Sequence, residues 1–328
     1  MKPRALIPLL VIAAALGLYA YFFERGESRH ATHVFRLPKE RVVRIELALK
    51  QEPKVTLEKK DDQWRLVSPI KARADDDQVQ SLLGSISGLE TRSRVQAESL
   101  DLGKAGLKPP PFSISIWGRL RGKPQTLQLG DDTPDGGGLY ARLLGRSTIL
   151  VLNSYIRSQL SKTAEDLRDK KAFHFTLPDQ VLALDLTRGK ETIALRRGKP
   201  KGQRPGSWSI ITPVKTEADG AAVDELLRAL QNLRAEKPVE EQPKDLKPYS
   251  LDSPRLVVTV KWRKKNERAE HTDTLLLGGP YLSDQSYARV QGEQAILAFK
   301  NEDLSQFDKT LFNLRDTRVV RFNISSLD

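Results

Sequence analysis

The densest run of chemistry-bearing side chains is GDDTPDGGGLYAR (130–142), where Asp131, Asp132 and Asp135 precede three glycines. Carboxylates at that density suit a hard cation. A calcium loop of the EF type needs oxygens at positions 1, 3 and 5 and a bidentate Glu at position 12. Counted from Asp131, position 3 is Thr133 and position 12 is Arg142. A phosphate-cradling loop would need a strand before it, a helix after it and a Lys-Ser/Thr pair. LYARLL follows instead, which alternates as a strand does, and the matching stretch GGPYLSDQSYAR (278–289) lacks the acids. The run reads as a glycine-rich hairpin connection.

The other reactive side chains are no better grouped. His30 and His33 share a polar segment, while His174 and His271 stand far apart in sequence. None has a partner at metal-ligand spacing. The chain has no cysteine, which excludes disulfides, thiolate catalysis, cysteine-ligated metals and a lipidated cysteine anchor. A G-x-S-x-G nucleophile elbow is absent. Carboxylate pairs for glycan cleavage need not be neighbours in sequence, and nothing singles one out. Asp75, Asp76 and Asp77 are accounted for by helix capping and the helix dipole. No catalytic, cofactor-binding or metal-ligating residue is assigned, and the protein is read as a non-enzyme without a cofactor.

Around these residues the chain has 328 positions, enough for two domains. Its formal net charge of +12 is spread thinly, with acids interleaved. Nucleic-acid binders concentrate charge on one face or tract. The two densest basic runs, KPKGQR (199–204) and KWRKKNER (261–268), sit between strand-like stretches and read as solvated hairpin loops. No nucleic-acid partner is expected.

The N-terminus sets the expected compartment. After Lys2 and Arg4, Ala5 to Phe23 passes without a charge, long enough as a helix to cross the hydrocarbon core. Tyr19, Tyr21, Phe22 and Phe23 crowd its far end, where aromatic rings favour headgroups. A cleaved signal peptide would end in small residues. The segment is read as an uncleaved signal-anchor, with residues 1–4 cytoplasmic, 5–23 transmembrane and 24–33 a polar stalk. The rest would lie outside the cytoplasm, anchored by a single pass in a bacterial inner membrane.

The elements beyond the stalk come twice. DDQWRLVSPIKARADDDQVQSLLGSISGL (61–89) is answered 144 residues later by PGSWSIITPVKTEADGAAVDELLRALQNL (205–233). Trp64 and Trp208, Pro69 and Pro213, and the helix-periodic sets Val79-Leu82-Leu83-Ile86-Leu89 and Val223-Leu226-Leu227-Leu230-Leu233 correspond. Further on, LQLG (127–130) answers LLLG (275–278), and the YAR and LRD triplets recur at an offset of 147. Asp75 and Asp219 stand at N-cap positions. Stretches 42–49, 54–60, 112–117, 148–153, 181–187 and 256–262 alternate with period two, as strands buried on one face do. The fold class is α+β: two tandem repeats, 34–175 and 176–322, each a mainly antiparallel sheet with one amphipathic helix and a short C-terminal helix. Residues 323–328 read as a tail or the start of a truncated further unit.

WRLVSP (64–69), Ala74-Asp75 before a Leu-Leu helix, GLKP (106–109), LQLGDDTPDG (127–136), LYAR (139–142) and LRDK (167–170) together resemble the bacterial family known as domain of unknown function 4340. The resemblance is closer over Val42–Phe175 than over Val181–Phe322, where SLDSP (250–254) replaces the Gly-Leu turn and the acidic loop is missing. It implies a membrane-anchored exported protein associated with ABC-type transporter components resembling gliding-motility auxiliary proteins, and it carries over no catalytic residue. The expected function is a non-enzymatic accessory or binding protein of a cell-envelope complex, with a protein partner such as an ABC-type permease complex. The alternatives are a binding module for an anionic envelope polymer, using the two basic loops, and an envelope hydrolase using carboxylates between the repeats.

Overall fold

A computed structural model of the chain describes residues 33–119, 122–199, 206–264 and 267–318. The expected anchor, the stalk as far as residue 32, most of the 199–204 loop and the 323–328 tail lie outside the described residues. No helix among the described residues is long and apolar enough to cross a membrane.

The first set of elements is β1 (Arg44–Leu49), β2 (Val55–Lys60), β3 (Gln63–Ser68), β4 (Ala72–Arg73), α1 (Asp76–Ser87), β5 (Ser93–Gln96), β6 (Phe112–Trp117), β7 (Gln125–Asp132), β8 (Gly138–Leu143), β9 (Thr148–Asn153), α2 (Ile156–Leu160) and α3 (Ala164–Leu167). The second set is β10 (Val181–Arg188), β11 (Glu191–Arg197), β12 (Trp208–Thr212), β13 (Thr216–Glu217), α4 (Gly220–Asn232), β14 (Lys237–Glu240), β15 (Leu256–Trp262), β16 (His271–Leu282), β17 (Gln285–Val290), β18 (Ile296–Lys300), α5 (Asn301–Ser305) and α6 (Leu311–Leu314).

Each set builds a nine-stranded sheet. The orders are β4-β3-β2-β1-β6-β7-β8-β9-β5 and β13-β12-β11-β10-β15-β16-β17-β18-β14, the same permutation twice. The chain runs from the centre to one edge, passes through the helix to the opposite edge, returns to the centre and meanders outward. The edges are blunt: β4 and β13 have two residues each, and β14 carries Pro238. The chain divides into two compact units, Met1–Lys60 with Asp77–Thr163 and Asp61–Asp76 with Ala164–Asp328. The β3–β4 hairpin therefore counts with the second unit.

In the second unit, β15 buries Leu256, Val258, Val260 and Trp262 on one face and turns Val257, Thr259 and Lys261 the other way. Val223, Leu226, Leu227 and Leu230 of α4 join that face in one apolar cluster with Trp208, Leu184 and Phe299. Each such side chain contributes about 1.5–3 kcal/mol on burial. In α1, Val79, Leu82, Leu83 and Ile86 are the buried positions. Both helices use the face that the sequence periodicity marks.

Asp219 caps α4, accepting hydrogen bonds from the backbone N–H groups of Ala221 (2.9 Å) and Ala222 (3.3 Å). Replacing it with alanine leaves both N–H groups without their acceptor. Asp219→Ala is expected to cost about 1 kcal/mol in urea unfolding, with faster amide exchange confined to the first turn of α4.

Candidate functional site

The recurrent residues divide into three devices. The first is the LRD triplet. The Leu167 carbonyl accepts from Asp75 N (2.9 Å), and Asp169 N donates to the Arg73 carbonyl (3.0 Å). In the second copy, Leu314 accepts from Asp219 N (2.9 Å) and Asp316 N donates to Glu217 (3.0 Å). Each triplet clips the end of its short helix to the edge strand just before the long helix. The second device is the YAR arginine. Arg142 Nε donates to the Arg146 carbonyl (3.3 Å) and Arg289 Nε to the Glu293 carbonyl (3.0 Å), so each braces the turn after its own strand. The third is the Leu-Gly pair. A Cβ on Gly130 would lie 2.1 Å from the Ala105 carbonyl oxygen, and one on Gly278 would lie 2.1 Å from that of Tyr249. Glycine recurs there because a backbone carbonyl occupies the space of a side chain.

The acidic run 131–135 forms the β7–β8 hairpin. Thr133 N donates to the Gly138 carbonyl (2.9 Å), and Gly138 N donates back to the Thr133 hydroxyl (2.9 Å). Asp132 lies 3.3 Å from Arg157, whose guanidinium also donates to the Gly130 carbonyl (2.7 Å). The Thr133 hydroxyl donates to Asp135 and holds that carboxyl below the usual range. Among the described residues, no three His, Asp or Glu side chains gather as a metal ion requires. His271 stacks on Trp262, ring centroids 4.5 Å apart, and meets Glu267 at 3.1 Å. His33 is exposed, and its backbone forms an isolated antiparallel β-bridge with Glu90. His30 lies outside the described residues.

His174 is the exception among the imidazoles. It lies in the second unit with its side chain 13 % exposed, between Asp169 (7 %) and Asp273 (15 %). Nε2 is 2.9 Å from Asp169 Oδ2, and Nδ1 is 3.5 Å from Asp273 Oδ1, an ionic contact more than a directed hydrogen bond. The backbone N–H of His174 donates to Asp273 Oδ2 (2.8 Å), as does the indole of Trp262 (2.9 Å). Lys171 N donates to Asp169 Oδ1 (2.9 Å), and Arg73 Nε stands 3.4 Å from Asp169 Oδ2. Arg168, buried next to Asp169, pairs with Glu241 and lies 3.8 Å from Glu165.

Burial opposes charge on each member of this cluster, yet the pairing prevails. Asp169 and Asp273 are held below the ordinary carboxylate range, chiefly by His174. His174 is raised above the ordinary imidazole value by the hydrogen bond to Asp169 and the nearby Asp273 carboxylate, despite Arg73. A protonated ring donates from both nitrogens. With Arg73 it then balances the two carboxylates one for one.

The cluster lines a cleft of about 160 Å³ in the second unit, together with Arg65, Ala72, Val290 and Glu293. Arg65 lies 3.7 Å from Glu293. No hydroxyl or thiol lines this cleft among the described residues. Nε2 of His174 is committed to Asp169, whereas Nδ1, 3.5 Å from Asp273, makes no directed hydrogen bond. The arrangement is suited to holding the β3–β4 hairpin in place. Sequence reasoning set His174 aside because Asp273 lies 99 residues away. The five-residue spacing to Asp169 was the one local signal.

A larger cleft of about 560 Å³ opens in the second unit over Leu186, Ile193 and Leu311, edged by Arg188, Lys190 and Lys309. Thr212, Pro213 and Leu311 line it. Their sequence neighbours Ile211, Val214 and Phe312 are exposed, Phe312 at 72 %.

Fold and site define a duplicated, mainly antiparallel α+β protein whose recurrent residues serve architecture. The chain belongs to the family described as Domain of unknown function (DUF4340), which it matches over residues 64–206 and again over 208–328. No curated protein and no solved structure matches it. The family period is out of phase with the sheets: the first matched segment opens in β3 and closes after β11, and the second opens on Trp208 at the start of β12.

Proposed function

We propose that this protein is a membrane-anchored, extracytoplasmic accessory protein of a bacterial cell-envelope complex, and that it acts by binding a protein partner. The observation that carries the binding role is the cleft over Leu186, Ile193 and Leu311, flanked in sequence by exposed Ile211, Val214 and Phe312. Exposed large apolar side chains next in sequence to the lining of a concave surface suit contact with a partner's apolar group. The uncharged segment Ala5–Phe23 and the preceding cations support a single-pass anchor with the bulk of the chain outside the cytoplasm. The partner we favour is an ABC-type permease complex.

Two measurements test this. A reporter fused after Asp328 is expected to read as extracytoplasmic; a cytosolic signal ends the proposal. Co-purification from gently solubilised membranes is expected to bring down envelope-complex subunits, and Phe312→Asp with Val214→Asp to reduce their yield at least tenfold, a loss of about 1.4 kcal/mol or more. Retention of the partner by a folded double variant removes this face from the proposal.

A further inference from the structure

The first unit contains a cleft of about 250 Å³ lined by Arg36, Arg94 and Arg146, with Thr148 beside them and Val34 and Leu150 as apolar wall. No carboxylate lines it, and among the described residues none of the three guanidiniums makes an ion pair. Three exposed cations lining one concave surface without a carboxylate among its lining make the local potential positive and draw an anion to it.

The duplication supplies the comparison. At the 147-residue offset, Leu143, Arg146, Thr148 and Leu150 of this cleft correspond to Val290, Glu293, Ala295 and Leu297, which line the His174 cleft. The equivalence is structural as well: Arg142 and Arg289 brace the same turn in each copy. In the second unit the cleft takes the hairpin residues Arg65, Ala72 and Arg73, with Arg65 facing Glu293. In the first unit the sign at that position is reversed, from Glu293 to Arg146, so the complement is an anion. What precedes the first cleft in sequence is the anchor segment, whose last residue, Phe23, is ten positions from His33. Ten extended residues reach at most about 34 Å, which keeps the cleft within range of the bilayer surface.

We propose that Arg36, Arg94 and Arg146 form a binding site for the phosphate of an anionic phospholipid headgroup. Arginine suits this ligand because its planar fork meets phosphate oxygens two at a time. Val34 and Leu150 face the glycerol carbons. The choice of lipid rests on the anchor reading; the choice of phosphate rests on the cleft alone.

The test uses the full chain in a non-ionic detergent, titrated with dioctanoyl phosphatidylglycerol, dioctanoyl phosphatidylcholine, glycerol 1-phosphate and poly-glutamate. Phosphatidylglycerol is expected to bind and phosphatidylcholine to bind far more weakly. The Arg36→Gln/Arg94→Gln/Arg146→Gln variant is expected to lose about a hundredfold in affinity for phosphatidylglycerol. Should the triple variant misfold, Arg146→Glu alone reads the same effect from an exposed side chain. Equal binding of the two lipids, or undiminished binding by the variant, overturns the site. Glycerol 1-phosphate binding as tightly as phosphatidylglycerol makes it a free-phosphate site and overturns the lipid assignment. Poly-glutamate binding more tightly than either makes it a protein interface and overturns it too. Because binding is read in detergent, phosphatidylglycerol binding alongside a cytosolic Asp328 reporter would keep the phosphate site and remove the anchor reading; an extracytoplasmic reporter without binding would do the reverse.

Discussion

Gly278→Ala is expected to lower stability by about 3 kcal/mol or more, and Gly130→Ala by a similar amount. The added methyl would stand 2.1 Å from a main-chain oxygen in each case, Tyr249 O for Gly278 and Ala105 O for Gly130. A side-chain neighbour could rotate aside, but a backbone carbonyl moves only with its segment. At Gly278 that segment is a 3-10 turn, Lys247–Tyr249, followed by Ser250 in the left-handed region at φ 55° and then buried Leu251. Strand β16 must separate from this turn or the turn must unwind. For a unit of this size the loss corresponds to a fall of roughly 6–12 °C in the unfolding midpoint. Gly84→Ala is the control. Its Cβ meets nothing within 4 Å and it lies inside α1, so the same chemical change there should raise stability by about 1 kcal/mol. Equal effects at Gly84 and Gly278 would refute the steric account.

His174→Ala is expected to cost about 3–5 kcal/mol and to remove a pH dependence from the wild type. The substitution leaves Asp169 and Asp273 largely buried without the ring between them, with Arg73 still 3.4 Å from Asp169. In the wild type His174 titrates above its ordinary 6.5, so its contribution is complete below that pH and is lost as pH rises through the raised value. The carboxylates titrate below their ordinary 3.8, so theirs is complete above that pH and is lost as pH falls through the depressed values. The cluster therefore stabilises most between about pH 4 and 6.5. Urea midpoints at pH 5.5 and 8.5 should differ more for the wild type than for His174→Ala. Hydrogen exchange should show the loss concentrated in residues 61–76. Asp169→Asn combined with His174→Gln should cost less than His174→Gln alone, because the pair removes charge of both signs. Identical pH profiles for wild type and His174→Ala would show that folding leaves the titration of the ring unshifted and would refute the charged-cluster account.

The two cases differ in how much the sequence foretells. The Leu-Gly pairs recur at a fixed offset, so repetition alone marks them as architectural. Strand positions follow from alternation at Leu182, Leu184 and Leu186 or at Val258 and Val260, and the long helices from the apolar spacing of Val223 to Leu233. These signals are local, set by the period-two and 3.6-residue geometry of the backbone. Strand order is not local. That β5 and β14 cross to the far edge beside β9 and β18 depends on pairing across more than 50 residues, for which no single residue speaks. The His174 cluster is hidden for the same reason and for a second one: it occurs once. At its expected counterpart after the second LRD, Asp316 is held instead by Arg318, which pulls its carboxyl down to about 2. Comparison of the copies therefore passes over His174, and only the folded chain brings Asp273 to it.

The membership of residues 61–76 in the second unit has a practical consequence for dissection. A fragment cut at the apparent repeat boundary and starting at Thr176 would leave behind Arg65, Arg73, Asp169 and His174, stranding Asp273 and Glu293 without their cations. Duplicated genes usually yield parts that can be separated. Here a cut at the repeat boundary divides the second unit itself, and a separable piece has to carry residues 61–76 and 164–175 with it.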